Sequence, residues 1–117
     1  MIDGPLHPLC PIAALPPGAE LGFPPATPNA PPLFAIHGAA GPVVFINACP
    51  HLGLPLDWKP GRFLNAEGSR IICATHAAEF QIEDGMCLRG PCRGDQLTRV
   101  PCAVLDGVLM VPAKYAA

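Results

Sequence analysis

Apolar positions along this chain come in short runs broken by turn residues, without sustained helical spacing. Leu33-Phe34-Ala35-Ile36-His37 and Val43-Val44-Phe45-Ile46-Asn47 flank Gly38-Ala39-Ala40-Gly41-Pro42, the pattern of two strands joined by a glycine-rich turn. Near the C-terminus, Cys102-Ala103-Val104-Leu105 and Val108-Leu109-Met110-Val111 flank Asp106-Gly107. A two-residue type I′ turn needs positive φ at both central positions, which Asp-Gly accommodates, so these runs predict a hairpin. A third hairpin pairs Arg70-Ile71-Ile72 with Glu79-Phe80-Gln81-Ile82, which ends at Glu83-Asp84-Gly85. Irregular stretches lie between, at 48–69, 73–78 and 86–96. No window of about 12 residues carries a 3.6-residue period, which predicts little helix. The expectation is an antiparallel all-β domain, a sandwich or small barrel, with loops long enough to carry function.

Composition sharpens this picture. The 117 residues amount to one domain, and 50% hydrophobic with 14% charged residues is a folding composition. Of the 17 prolines, ten fall in the first 32 residues, so that third of the chain cannot be regular helix. Leu6, Leu9, Ile12, Leu15, Leu21 and Phe23 are interleaved with them, and the segment is expected to edge a β base instead of forming a linker. A net charge of −2 with seven Lys+Arg supplies no basic field for nucleic acid or an anionic membrane. No apolar stretch reaches the roughly 18 residues of a membrane-spanning helix. Met1-Ile2-Asp3-Gly4-Pro5 has neither a positive n-region nor an apolar h-region, so the expected location is the cytoplasm. There, cysteines at deliberate spacings bind metal or do redox chemistry more often than they form disulfides.

Two of the irregular stretches hold the informative residues. Cys49-Pro50-His51-Leu52-Gly53 is a C-x-H, and Cys73-Ala74-Thr75-His76 is a C-x-x-H, with 21 residues between His51 and Cys73. Each half offers one thiolate and one imidazole. Such soft and borderline donors suit Zn²⁺ or an iron–sulfur cluster, and are wrong for Ca²⁺ or Mg²⁺. Zinc fingers pair Cys with Cys and His with His at short spacing. Here Cys and His alternate, the order of a Rieske centre, in which two Cys hold one iron and two His the other.

From these residues the stretch Asn47 to Val111 resembles a Rieske [2Fe-2S] domain. Cys49-Pro50-His51-Leu52-Gly53-Leu54-Pro55-Leu56 is similar to the family's first box, C-P-H-x-G-x-x-L. Cys73-Ala74-Thr75-His76, followed by Phe80 and Asp84-Gly85, is similar to the second. Gly90-Pro91 resembles the proline loop that covers the cluster, and Leu9 to Gly18 resembles the opening of Rieske ferredoxins. The resemblance implies an antiparallel β-sandwich with a loop-rich cluster-binding subdomain at one end. Residues 1–47 and 94–117 would form the base and 48–93 the subdomain. It implies one [2Fe-2S] cluster per chain, held by Cys49, His51, Cys73 and His76. Respiratory Rieske proteins have an extra Cys in each box and Ser and Tyr hydroxyls near the cluster. The matching positions here are Leu54, Thr75, Ala78 and Phe80, so that bracing disulfide cannot form. Hydrogen bonds to cluster sulfurs raise the potential, and their loss implies the low end of the roughly −150 to +300 mV Rieske range. Two lesser departures are Ala77, where the family usually has Gly after the second His, and the rather long spacer around Lys59-Pro60-Gly61-Arg62 and Ala66-Glu67-Gly68.

The function implied is a ferredoxin: a one-electron carrier, not itself an enzyme, between a flavoprotein NAD(P)H reductase and a terminal oxygenase or similar acceptor. Backbone N–H groups of Leu52, Gly53, Thr75 and Ala78 are the expected donors toward the cluster. An oxygenase would need a second iron site and a further domain, and only His7 and His37 remain to supply imidazoles. A Rieske-fold structural subunit, as in assimilatory nitrite reductase, and a zinc-stabilised interaction module are the alternatives. Cys10, Cys87, Cys92 and Cys102 read as small buried hydrophobes, and Trp58 as a packing anchor. Glu79, Glu83, Asp84, Arg89, Arg93 and Arg99 read as solvated surface.

Overall fold

The computed structural model describes residues 4–50, 53–74 and 77–116. Among these residues, ten strands, β1 (Leu6–Pro11), β2 (Glu20–Phe23), β3 (Leu33–Gly38), β4 (Gly41–Ile46), β5 (Ile71–Ile72), β6 (Glu79–Phe80), β7 (Cys87–Arg89), β8 (Arg99–Val100), β9 (Ala103–Leu105) and β10 (Val108–Pro112), make three antiparallel sheets. Their orders are β1-β10-β9, β2-β3-β4-β8 and β5-β6-β7. Two single-turn 3₁₀ segments, Ile12–Ala14 and Ala113–Ala116, are the only helical structure among the described residues. The fold is the all-β class that the short, punctuated runs predict.

The β2-β3-β4-β8 sheet is the middle layer. Leu33, Phe34, Ala35 and Ile36 are all buried, as are Val43, Val44 and Phe45, because this sheet is covered on both faces. Side chains alternate along a strand. Leu33, Ala35, Val44 and Val100 therefore pack on one side with Leu15, Leu109 and Val111. Phe34, Ile36, Val43 and Phe45 pack on the other with Phe63, Ile71, Phe80, Leu97 and the four cysteines Cys49, Cys73, Cys87 and Cys92. Continuous apolar runs on β3 and β4 are what two-sided burial requires. Phe34 stacks on Phe63 with ring centroids 4.4 Å apart and tilts against Phe45 at 5.5 Å. Gly22 on β2 leaves the room, since a Cβ there would lie 3.2 Å from the Phe63 ring.

The hairpins expected around Gly38–Gly41, around Asp106-Gly107 and between β5 and β6 are all present, the last in register Ile71↔Phe80. Asp106 and Gly107 have φ of 50° and 75°, the two positive values that a type I′ turn demands. The proline-rich third supplies β1 and β2, each at the edge of its sheet. Edge placement leaves the missing amides of Pro5, Pro8 and Pro11 without consequence for an inner ladder, and the register slips between Pro8 and Cys10. β7 and β8, three and two residues long, fall in or beside stretches whose pattern predicts no strand.

Candidate metal centre

Cys49 and Cys73 stand at the heads of two turns with the same internal bonding. In the first, the Cys49 N–H donates to the Leu54 carbonyl at 2.8 Å and the Gly53 N–H donates back to the Cys49 carbonyl at 2.7 Å. In the second, the Cys73 N–H donates to the Ala78 carbonyl at 2.9 Å and the Ala77 N–H returns to the Cys73 carbonyl at 3.0 Å. Both turns thus bond i to i+5 and i+4 to i. Both reverse direction at i+4 through a left-handed residue, Gly53 at φ 73° and Ala77 at φ 53°. Glycine adopts that conformation freely, whereas alanine there costs roughly 1–2 kcal/mol. The absent glycine at position 77 does not alter the turn; the turn is kept, with strain.

These two turns are fastened to each other. The Ala74 N–H donates to the Leu56 carbonyl at 3.0 Å, joining the exit of the first turn to the head of the second. Asn47, buried, fixes the first turn from below: its Oδ1 accepts the Leu56 N–H at 2.7 Å and its Nδ2 donates to Asp57 at 3.2 Å. The second turn hangs from the β5-β6 hairpin, whose Ile72 N–H also bonds the Phe63 carbonyl at 2.8 Å. Glu20 on β2 holds the intervening loop, with one carboxylate oxygen accepting the N–H groups of both Phe63 and Leu64 and the other 3.5 Å from Arg62. Arg62 lies over the Trp58 ring, and the Trp58 indole N–H donates to Leu64 at 3.1 Å, closing the same loop on itself.

A third turn, 90–94, covers the second. It is closed by Arg93 N–H to Gly90 and Asp95 N–H to Cys92, and tied to β7 by Cys87 N–H to Asp95 at 2.8 Å. Gly90 has φ 103° and rests on Ala78, where an added Cβ would lie 2.9 Å from the Ala78 Cα. Only glycine allows that approach. The Cys87 and Cys92 sulfurs are 2.9 Å apart, and both residues are buried. Burial, the hydrogen bond with Cys87 and the charges of Cys87 and Cys49 push the Cys92 thiol up to about 12. Burial also raises the thiols of Cys10 and of Cys102, the latter opposed by Arg99.

Cys49 and Cys73 are buried in one cluster, on mirrored turns that share a hydrogen bond, and the sulfur half of the donor set fits a group held between two loops. His51 and His76, with Leu52 and Thr75, lie outside the described residues. Gly53 is not the cluster donor that its position suggests, because its N–H is taken by the Cys49 carbonyl within the turn. His37 is placed by its Nδ1, 2.8 Å from the Leu15 carbonyl, and pairs with Pro42 next to the β3–β4 turn. Asp84 is a turn former whose Oδ1 accepts the Met86 N–H at 2.9 Å. Glu79 and Arg89 form a solvated ion pair at 3.8 Å. The Cys87–Cys92 contact escapes the sequence reading; its only signal is two cysteines bracketing Gly90-Pro91. Glu20 gives no local signal, since its partners lie 43 and 44 positions away.

Comparison with known proteins agrees with this geometry. No curated protein sequence matches the chain. Among solved structures, the ferredoxin of carbazole 1,9a-dioxygenase from Nocardioides aromaticivorans IC177 superposes with a TM-score of 0.72 at 18% identity, over 93% of this chain and 98% of that one. The Sphingomonas yanoikuyae B1 ferredoxin gives 0.70 at 22% identity, over 91% and 96%. A chain in the complex of reduced oxygenase and oxidised ferredoxin of carbazole 1,9a-dioxygenase gives 0.72 at 20% identity, over 92% of each. At such identities the likeness is one of fold. The family model described as Rieske [2Fe-2S] domain matches residues 31–104, a span containing all three turns, and the chain belongs to that family.

Proposed function

We propose that this chain is a cytoplasmic one-electron carrier of the Rieske ferredoxin type, with Cys49, His51, Cys73 and His76 as the four ligands of one [2Fe-2S] cluster. The observation that carries the reading is the pair of mirrored turns, each headed by a buried cysteine and joined through Ala74 and Leu56. When bound, the cluster supplies a single electron-accepting centre shared by two irons. The chain's own part is to hold two sulfurs inside an apolar layer and to exclude water from them. Phe80 and Ala78, buried beside the second turn, bring no hydroxyl to the site. In this reading residues 48–93 are the cluster-binding subdomain, and 1–47 with 94–117 the supporting base.

The partners follow from the same reading: a flavoprotein NAD(P)H reductase as donor and a terminal oxygenase or similar redox protein as acceptor. Ferredoxins of this fold include one found in complex with its oxygenase. No helix among the described residues is long and apolar enough to cross a membrane.

Anaerobic purification tests the proposal. The protein should be red-brown, hold about two irons and two sulfides per chain, and give on dithionite reduction the low average-g EPR signal of a His-ligated cluster. Cys49→Ser and Cys73→Ser should each lose iron, and His51→Cys should move the spectrum toward that of a four-Cys cluster or lose it. A colourless protein with one zinc would refute the assignment, as would a His51→Cys spectrum identical to wild type.

A further inference from the structure

Two of the four cysteines outside the proposed ligand set meet each other. Cys87 opens β7 and Cys92 sits in the 90–94 turn, and their sulfurs are 2.9 Å apart. That is only about 0.9 Å longer than a disulfide bond. The backbone on both sides already holds them there, through Cys87 N–H to Asp95, Asp95 N–H to Cys92 and Arg93 N–H to Gly90. Two thiols fixed at this separation need little more than side-chain rotation to bond.

We propose that Cys87 and Cys92 are an oxidation site, which hydrogen peroxide closes to a disulfide that pins the 90–94 turn. Both sulfurs are buried, with 2% and 1% of each residue exposed, so a water-sized oxidant is the class that reaches them. Pro91, Arg93 and Gly94 around them are exposed, and local opening of that turn is the route in. One sulfur attacks a peroxide oxygen, the O–O bond breaks, and a sulfenic acid and one water result. The second sulfur then attacks the first, the S–S bond forms, the S–O bond breaks, and a second water leaves. Together the two thiols lose two protons and two electrons, which convert one peroxide into two waters.

The consequence lies in the neighbouring contact. Gly90 rests directly on Ala78, whose carbonyl accepts the Cys73 N–H, so the third turn bears on the second cysteine turn. A bond from Cys92 to the strand fixes the cover of that turn. This brace differs in position from one between residues 54 and 75, which Leu54 and Thr75 forbid. It rests on the contact between Cys87 and Cys92 alone and stands or falls separately from the ligand assignment.

Trypsin reads the site in wild-type holoprotein, because cleavage after Arg70, Arg89 and Arg93 puts Cys87 on peptide 71–89 and Cys92 on peptide 90–93. After stoichiometric hydrogen peroxide and alkylation of remaining thiols, mass spectrometry should find these two peptides joined, about 2 Da lighter than the sum of the peptides with Cys87 and Cys92 as thiols and Cys73 alkylated. Fragmentation should place the link at Cys87, not at Cys73, and dithiothreitol should restore two alkylatable thiols. Hydrogen exchange of the amides across 90–95 should slow at least tenfold in the oxidised form. Recovery of peptide 90–93 alkylated at Cys92 while other residues consume the oxidant overturns the site. So does a link through Cys73. Unchanged exchange in a protein that does carry the Cys87–Cys92 bond overturns the pinning.

Discussion

At residue 77 the chain keeps a left-handed backbone without the glycine that makes it easy. Ala77 and Gly53 occupy the same place in two turns of identical bonding, with φ of 53° and 73°. Ala77 is exposed, so glycine there removes the Cβ penalty and leaves no hole. Ala77→Gly should therefore stabilise the protein by about 0.5–1 kcal/mol, the relief of left-handed strain outweighing the added freedom of the unfolded chain. A urea titration that shows a lower midpoint for the variant would contradict this. The departure from the family pattern at 77 is legible in the sequence; that the turn persists under strain is not, because only the backbone dihedral reveals it. Cys92 ties stability to pH. A thiol raised from 9.0 to about 12 holds its proton more tightly in the folded than in the unfolded chain. Its contribution is fully present below pH about 9 and is lost as pH rises toward 12. In reductant, the urea midpoint of the iron-free protein should fall across that window, and less steeply for Cys92→Ser. Cys10 and Cys102, raised in the same direction, keep some slope in the variant.

Between elements, Glu20 is the main polar tie from the middle sheet to the loop that leads into β5. Phe63 and Leu64, both buried, give their backbone N–H groups to one oxygen of this carboxylate. Removing the acceptor leaves two interior donors unsatisfied, each worth about 1–3 kcal/mol. Glu20→Ala should cost about 2–4 kcal/mol and accelerate hydrogen exchange at Phe63 and Leu64 before any change in β1 or β10. Glu20→Gln retains the accepting oxygen and loses only the half-exposed Arg62 pair, so its cost should stay below about 1 kcal/mol. Equal losses in the two variants would refute the backbone role. Such a tie explains the limits of the sequence pattern. Strands with their own hairpin partner nearby, β3 with β4 and β9 with β10, are evident from local alternation and turn residues. β5 and β6 are legible as paired apolar runs, but β7 and β8 are too short to carry a period, and β1 and β2 are masked by prolines that only an edge position tolerates. The proposed ligand cysteines are visible as a motif, but what fixes them, Asn47, Glu20 and Gly90, acts through partners that no local spacing encodes.

Over the whole molecule, the middle sheet divides the interior into two apolar clusters of different dependence on the proposed centre. One, with Leu15, Val44, Leu109 and Val111, contains neither of the proposed ligand cysteines. The other contains Cys49 and Cys73 together with Phe34, Phe45, Phe63 and Phe80. Metal binding adds its free energy to the folding of whatever holds the ligands. Iron removal should consequently loosen the second cluster and spare the first. In the iron-free protein, amide protection should drop across 53–74 and 77–95 while β1, β10 and the β3 core stay protected, a graded loss instead of one cooperative transition. Hydrogen-exchange mass spectrometry of matched iron-loaded and chelated samples measures it directly. Uniform loss of protection would mean that the two clusters fold as one unit. Unchanged protection would mean that the mirrored turns are held by their own hydrogen bonds alone, with the cysteines contributing nothing through a bound metal. The Phe34–Phe63 stack, with centroids 4.4 Å apart, decides between graded and uniform behaviour, because it joins the middle sheet to the side that holds Cys49 and Cys73. With Phe34 fixed on a strand buried on both faces, the disturbance should end at that ring pair, leaving a stable β base beneath a site that depends on its metal.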